Sequence, residues 1–293
     1  MEPVSLLSQR LAAAFLAASF GALVSLIALR KGYYHLPPDE TMGKKIPSGR
    51  HVLEAFGIFL FIQLFLLPLV YFLWEKGIGA DLETIKFPDD VKGWVSLGLI
   101  ALTGIGLIGL FASLNKPTRD AIWGSRSSSR GVKKNIIDFL AGSLTWVIAY
   151  PWIIVTGQLL GVLLALVYSG PLPDQAAVKH LKDLLGHPVL FGATALAVFT
   201  IIPFIEEFLF RGFLQSWMKT FLGRTRAILL TSLIFASFHF SFSQGIENIE
   251  FISSLFLLSC YLGFIKERQQ SLWGSIGLHS TFNFISILML FEL

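Results

Sequence analysis

Charged residues are scarce in this chain. Asp, Glu, Lys and Arg make up 14% of its 293 residues, whereas a soluble domain has about 25%. Hydrophobic residues make up 54%, Phe alone occurs 27 times, and the mean hydropathy is +0.68. This composition excludes an ordinary soluble domain and predicts an all-α fold, a polytopic transmembrane helical bundle surrounded by lipid.

Other absences narrow the class further. The single cysteine, Cys260, excludes an internal disulfide. The net charge of +4 comes from Lys and Arg in loops, which indicates sorting of loops across a membrane and no nucleic-acid partner. The sequence contains no H-E-x-x-H and no G-x-S-x-G, so neither the usual zinc-protease helix nor a serine nucleophile elbow is predicted.

Apolar runs long enough to cross a membrane are abundant. A span needs about 20 mainly apolar residues, and the sequence predicts about eight of them: 11–29, 54–74, 93–114, 136–168, 189–218, 227–241, 251–265 and 271–291. No A-x-A-like cleavage site follows the first run, so we expect a retained span there and not a signal peptide. Pro151 predicts a kink or tilt in the fourth.

The predicted loops alternate in charge. Sixteen Lys and Arg fall in the loops after spans 1, 3, 5 and 7, and five fall in the loops after spans 2, 4 and 6. Because Lys and Arg prefer the cytoplasmic side, the basic loops are expected inside and both termini outside. A flexible basic loop around Ser127–Ser129 suggests a boundary. Residues 1–135 are interpreted as an N-terminal extension of three spans, and residues 136–293 as the core.

Three polar sets interrupt the apolar runs of the core. In "FIEEFLFRGF", Glu207 and Arg211 are four residues apart and can pair on one helix face. Glu206 lies about 100° around the helix from Glu207, so it needs another partner or a wet cavity. The other sets are "FASFH", which puts Phe235 and His239 at i, i+4, and "HSTFN", which does the same for His279 and Asn283.

Helix rise predicts that these sets meet. Glu206 is 13 residues before Lys219, and His239 is 13 residues after Arg226. At about 1.5 Å per residue, both lie roughly 20 Å from the basic loops. His279 and Asn283 lie about 12 and 18 Å from the start of the last span by the same rise.

One free glutamate, two histidines and an asparagine suit peptide hydrolysis. Glu206 could take a proton from water, and His239 could orient the water or shuttle the proton. His279 and Asn283 could donate hydrogen bonds to an oxyanion. With no cofactor this is a metal-free site; the alternative is a zinc site formed by Glu206, His239 and His279.

Structural interpretations compete with the catalytic one. In these interpretations the Glu207–Arg211 pair stabilises a helix end and takes no part in a reaction. Asn283 hydrogen-bonds one helix to another, and Phe235 contributes packing alone. A non-catalytic scaffold that binds a peptide or lipid tail in the same pocket is the main rival. An ion-coupled transporter ranks lower, because no matching acid occurs in the first half of the chain.

These motifs, in this order, resemble the CAAX prenyl protease and bacteriocin-processing (CPBP, or Abi) family of intramembrane proteases. The family pattern is EExxxR, FxxxH and HxxxN or HxxxD. It is matched here by Glu206-Glu207-x-x-x-Arg211, by Phe235-x-x-x-His239 and by His279-x-x-x-Asn283, within roughly residues 190–290.

The resemblance implies a helical bundle with a conical cavity open toward the cytoplasm. It implies that Glu206 activates the water, that His239 assists, and that His279 and Asn283 form the oxyanion site. Glu207 and Arg211 would support the geometry. The expected substrate is a peptide or membrane protein, and the expected location is a bacterial plasma membrane.

Overall fold

The computed structural model describes residues 3–39, 43, 46–77, 89–124, 131–167 and 184–290. Within these ranges the chain forms helices, turns and short connections, and no strand. The predicted all-α bundle is therefore confirmed. The basic loop expected around Ser127–Ser129 lies outside the described residues.

Twelve α-helices occur in the described ranges. In chain order they are α1 (Pro3–Arg30), α2 (Gly49–Phe61), α3 (Leu67–Gly77), α4 (Asp89–Ser113), α5 (Lys116–Trp123), α6 (Gly131–Val167), α7 (Pro188–Phe199), α8 (Ile201–Glu207), α9 (Ser216–Leu222), α10 (Arg224–Ser237), α11 (Asn248–Gln269) and α12 (Leu272–Met289). The π-helical segment Ile62–Leu66 joins α2 to α3, and the π-helical segment Phe208–Gln215 joins α8 to α9. Short 3₁₀ turns lie at Leu184–Gly186 and Phe242–Glu247.

Six helical stretches are long and apolar enough to cross a membrane, judged by length and composition alone. They are Leu7–Arg30, Gly49–Trp74, Asp90–Ser113, Gly131–Val167, Pro188–Leu222 and Gln244–Gln269. These correspond to six of the eight predicted spans. The remaining two are α10, with 14 residues, and α12, with 18 residues and both His279 and Asn283.

The predicted span 227–241 is wrong at its end. The helix stops at Ser237, and Phe238 and His239 form a turn. His239 therefore does not continue the helix. Its backbone N–H donates to Ala236 O at 3.0 Å, a turn bond that closes the helix end.

Helices α6 and α12 cross closely at two contact points. A β-carbon at Gly142 would overlap the backbone of Gly274, and one at Gly277 would overlap the carbonyl of Phe139. Small residues let membrane helices approach this closely. The crossing fixes the start of α12, and with it His279, against the long central helix, which runs unbroken through Pro151.

The N-terminal helices share the core of the motif-bearing half. Val52 and Ala55 of α2 and Leu107 of α4 belong to the same buried cluster as Phe208 and Phe213. The boundary at residue 135 stays a prediction. Residues before and after this boundary pack together around the helix that carries the glutamates.

Candidate active site

A break and a π-helical segment bracket the two adjacent glutamates. Helix α7 ends at Phe199, Thr200 leaves the helical conformation (φ −123°, ψ −65°), and α8 begins at Ile201. Pro203 has no N–H to donate and is tolerated in the first turn of the new helix. The π-helical segment Phe208–Gln215 starts directly after Glu207. Such segments are rare and occur frequently at functional sites.

Glu207 is fully buried between two cationic or potentially cationic side chains. Its Oε1 accepts a hydrogen bond from Arg211 Nη1 at 2.9 Å and lies 2.9 Å from His279 Nδ1. A carboxylate can only accept, so His279 Nδ1 carries a proton. The sequence predicted the first contact and not the second. The fixed tautomer leaves His279 Nε2 facing the neighbouring glutamate.

Arg211 connects three helices through one buried guanidinium. Besides Glu207, it donates through Nη2 to Ser259 Oγ at 2.6 Å and to the Ser259 carbonyl at 3.3 Å. Its guanidinium carbon lies 4.5 Å from the ring centroid of Phe235. Phe235 therefore does more than fill space, because a desolvated cation over an aromatic face is stabilised by about 2 kcal/mol.

His239 is held by the end of its own helix. Its Nδ1 lies 2.9 Å from the Phe235 carbonyl, which can only accept, so Nδ1–H is the donor. Its ring centroid lies 4.7 Å from that of Phe235. The i, i+4 relation is thus kept although His239 lies in a turn, and Nε2 is turned toward Glu206.

Glu206 faces both imidazoles. Its Oε1 is 3.9 Å from His239 Nε2 and its Oε2 is 3.7 Å from His279 Nε2. Both separations exceed hydrogen-bond length, so a bridging water molecule can contact the carboxylate and a ring nitrogen together. The side chain of Glu206 is 20% exposed and that of His239 is 29% exposed. The two adjacent glutamates therefore have different surroundings, as their 100° separation predicted.

Among the described residues, no hydrogen bond joins Asn283 to another residue of the candidate site. Its Nδ2 donates to the Val198 carbonyl at 2.8 Å. Val198 lies in the last turn of α7, where carbonyls lose their intrahelical partners. Asn283 thus ties α12 to the break at Thr200, and its half-buried amide keeps a second N–H.

Glu206, His239 and His279 are residue types that bind zinc in proteins. Both histidines offer Nε2 while Nδ1–H is held by a carbonyl or a carboxylate, which is how proteins orient imidazole ligands. As placed, no group of three or more His, Cys, Asp or Glu in the described part of the chain is arranged to hold a metal ion.

Two stripes of residues extend the site beyond Glu207 and Arg211, and the sequence analysis did not identify these extensions. Glu207, Arg211, Gln215 and Lys219 recur every four residues, and so do Ser259, Gly263 and Glu267. Gln215 Nε2 donates to the Gly263 carbonyl at 3.3 Å and to Glu267 Oε1 at 3.1 Å. Lys219 Nζ donates to Glu267 Oε2 at 2.7 Å. The period of four was the signal available in the sequence.

Glu267 gathers the basic residues at one end of the bundle. Besides Lys219, it pairs with Lys266 Nζ at 3.2 Å and with Arg224 Nε at 3.4 Å. Gln215, Lys266 and Glu267 are each at most 5% exposed as residues. This buried network joins α9, α10 and α11 at the basic end of the bundle.

The candidate site lies near the opposite end of the bundle. The ring of His239 is 6.4 Å from that of Phe251, which belongs to the first turn of α11. Phe251 precedes Lys266 by 15 residues, or roughly 22 Å of helix. The predicted depth of about 20 Å from the basic loops agrees with this position.

Fold and site together define a polytopic membrane protein with an intramembrane cluster of acids and histidines. Residues 188–285 match the family model described as Type II CAAX prenyl endopeptidase Rce1-like. This match confirms the resemblance stated from the motifs. The match covers about a third of the chain. No match was found among curated proteins or among solved structures.

Proposed function

We propose that this protein is an intramembrane endopeptidase that hydrolyses a peptide bond of a membrane-associated protein or peptide with a water activated by Glu206. The observation that carries the proposal is the position of Glu206. It is the partly exposed carboxylate opposite two imidazole Nε2 atoms, at 3.7 and 3.9 Å. The family match supports a peptidase of this general kind.

The proposed first step is attack by water. A water molecule between Glu206 and His239 Nε2 loses a proton to the carboxylate, and its oxygen bonds to the carbonyl carbon of the peptide. His239 orients this water, because its own Nδ1–H is committed to the Phe235 carbonyl. Positioned proton transfer of this sort contributes about 10²–10⁴-fold to a rate.

The second step breaks the C–N bond. The tetrahedral oxyanion receives hydrogen bonds from Asn283 and from His279 Nε2. Because His279 Nδ1–H already faces Glu207, an Nε2–H requires a doubly protonated ring, with a carboxylate near each nitrogen. Protonated Glu206 then gives its proton to the leaving nitrogen. The products are a carboxylate and an amine.

The test is cleavage of a fluorogenic peptide or a co-expressed membrane substrate by purified protein. Glu206→Gln should lower kcat by about 10²–10⁴-fold. Glu54→Gln is the matched control, since Glu54 forms an exposed helix pair with Arg50 far in sequence from the motifs. Cleavage by Glu206→Gln at the wild-type rate would overturn the assignment of Glu206. Absence of cleavage by both wild type and variant would favour the scaffold that only binds a peptide or lipid tail.

A zinc-dependent peptidase is the second candidate, because both imidazoles carry their proton on Nδ1 and offer Nε2 to a metal ion. A strong chelator separates the two versions. Cleavage that is lost in the chelator and restored by zinc would support the zinc site of Glu206, His239 and His279. Unchanged cleavage in the chelator supports the metal-free mechanism.

We further infer that the site opens on the non-cytoplasmic side. The conical cavity was expected to face the cytoplasm, and the basic loops were expected there too. The proposal of the opposite side is supported by the position of His239, whose ring lies 6.4 Å from that of Phe251 in the first turn of α11, whereas Glu267 pairs with the basic residues near the other end of that helix. The charge asymmetry of 16 to 5 favours the basic end as the cytoplasmic one.

A further inference from the structure

A cavity lies behind the helix that carries the glutamates. It has a volume of about 520 Å³ and is formed by α4, α5, the start of α6 and α8 with its π-helical continuation. We call it the rear cavity; its lining residues are Ile108, Phe111, Lys116, Arg119, Asp120, Trp123, Asn135, Phe204 and Phe208. Volumes of roughly 300–1,000 Å³ are typical of ligand sites.

The rear cavity is separate from the candidate active site. Phe204 and Phe208 lie two residues on either side of Glu206, so they point about 200° away from it around the helix. One face of this helix meets His239 and His279, and the other lines the rear cavity. An occupant would contact the catalytic helix without reaching the reacting atoms.

Apolar and charged residues line different parts of the rear cavity. Phe111, Trp123, Phe204 and Phe208 form an aromatic wall, in which ring centroids such as those of Trp123 and Phe208 lie 5.9 Å apart. The charged residues Lys116, Arg119 and Asp120 belong to the short helix α5 at the basic end, and Lys116 is exposed. No ion pair joins these three side chains to other residues in the described ranges. Such a site fits a molecule with an apolar tail and a negatively charged head.

We propose that the rear cavity binds a membrane phospholipid with an anionic headgroup. The acyl chain would lie along Phe111 and Phe208, and the phosphate would meet Lys116 and Arg119. Two cations against one acid give the rim a net positive charge. Each Lys or Arg near an anionic membrane surface strengthens binding about fivefold. One net positive charge at the rim therefore predicts about a fivefold higher affinity for an anionic lipid than for a zwitterionic one.

Trp123 provides a direct readout. The full-length protein is reconstituted in nanodiscs that contain phosphatidylglycerol or phosphatidylcholine with bromine on the acyl chains, since bromine quenches nearby tryptophan. The chain has seven Trp, so the signal of Trp123 is obtained by subtracting the emission of Trp123→Phe. Quenching of this component should occur at about fivefold less brominated phosphatidylglycerol than phosphatidylcholine.

Matched variants separate headgroup binding from simple bilayer contact. Lys116→Gln with Arg119→Gln should abolish the preference, whereas Lys133→Gln, an exposed charge outside the rear cavity, should keep it. Equal quenching by both lipids in wild type, or a preference that survives the double substitution, would refute the proposal. Absence of quenching would also refute it and would mean that protein or a substrate tail fills the cavity. None of these readouts depends on peptidase activity.

Discussion

At the scale of residues, two neighbouring glutamates are distinguished by what surrounds them. Glu207 is fully buried and its Oε1 meets Arg211 and His279, while Glu206 is partly exposed and has no contact to the histidines shorter than 3.7 Å. The sequence predicted this division from the helical angle and the i, i+4 arginine. It could not predict Ser259 or the His279–Glu207 contact, because these depend on how α8, α11 and α12 pack.

The division predicts opposite effects of the same substitution at adjacent positions. Glu207→Gln should lower the free energy of unfolding by about 3 kcal/mol, because it leaves the buried Arg211 without its counter-charge. Glu206→Gln should leave thermal stability unchanged while cleavage is lost. Thermal unfolding in detergent, followed by the fluorescence of a thiol dye or by aggregation, measures both. Equal stability of the two variants would mean that Glu207 does not hold the guanidinium in the way its geometry indicates.

At the scale of elements, the site depends on where helices break and cross. The long apolar helices were predictable from composition and length. The end of α10 at Ser237 and the π-helical segment Phe208–Gln215 were not, since apolar sequence continues through both. Hydropathy reports burial in lipid and carries little information about the hydrogen-bond register of a helix. Tertiary contacts decide that register.

The α6–α12 crossing gives a prediction with an internal control. Gly142→Ala should destabilise the protein by about 1–3 kcal/mol, because the new methyl group meets the backbone of Gly274 and no side chain can move aside. Gly109→Ala on α4 meets nothing within 4 Å and should be neutral or slightly stabilising. Thermal unfolding of both variants measures the difference. A Gly142→Ala protein as stable as Gly109→Ala would show that the helices do not cross this closely.

At the scale of the whole molecule, the buried basic network and the candidate active site lie toward opposite ends of the bundle. Glu267, Lys219 and Arg224 form a buried network at the basic end. At the other end Asn248 holds the turn after His239, donating from Nδ2 to the Ser241 carbonyl at 2.7 Å. The candidate active site therefore lies nearer the less basic end. The positive-inside rule predicts that this end is outside, in which case the substrate would be a segment exposed on the non-cytoplasmic face.

Thiol labelling in intact cells tests this orientation. With Cys260 replaced by Ser the chain has no other thiol, so single cysteines report one face each. Phe242→Cys lies at the end near His239, where the native side chain is 93% exposed, and Val132→Cys lies at the start of α6, where it is 74% exposed. An impermeant maleimide should label Phe242→Cys in intact cells and Val132→Cys only after permeabilisation. Leu185→Cys, before α7, should behave like Phe242→Cys. The reverse pattern would put the site on the cytoplasmic side and make this chain an exception to the charge rule, because the 16 basic residues would then face outward.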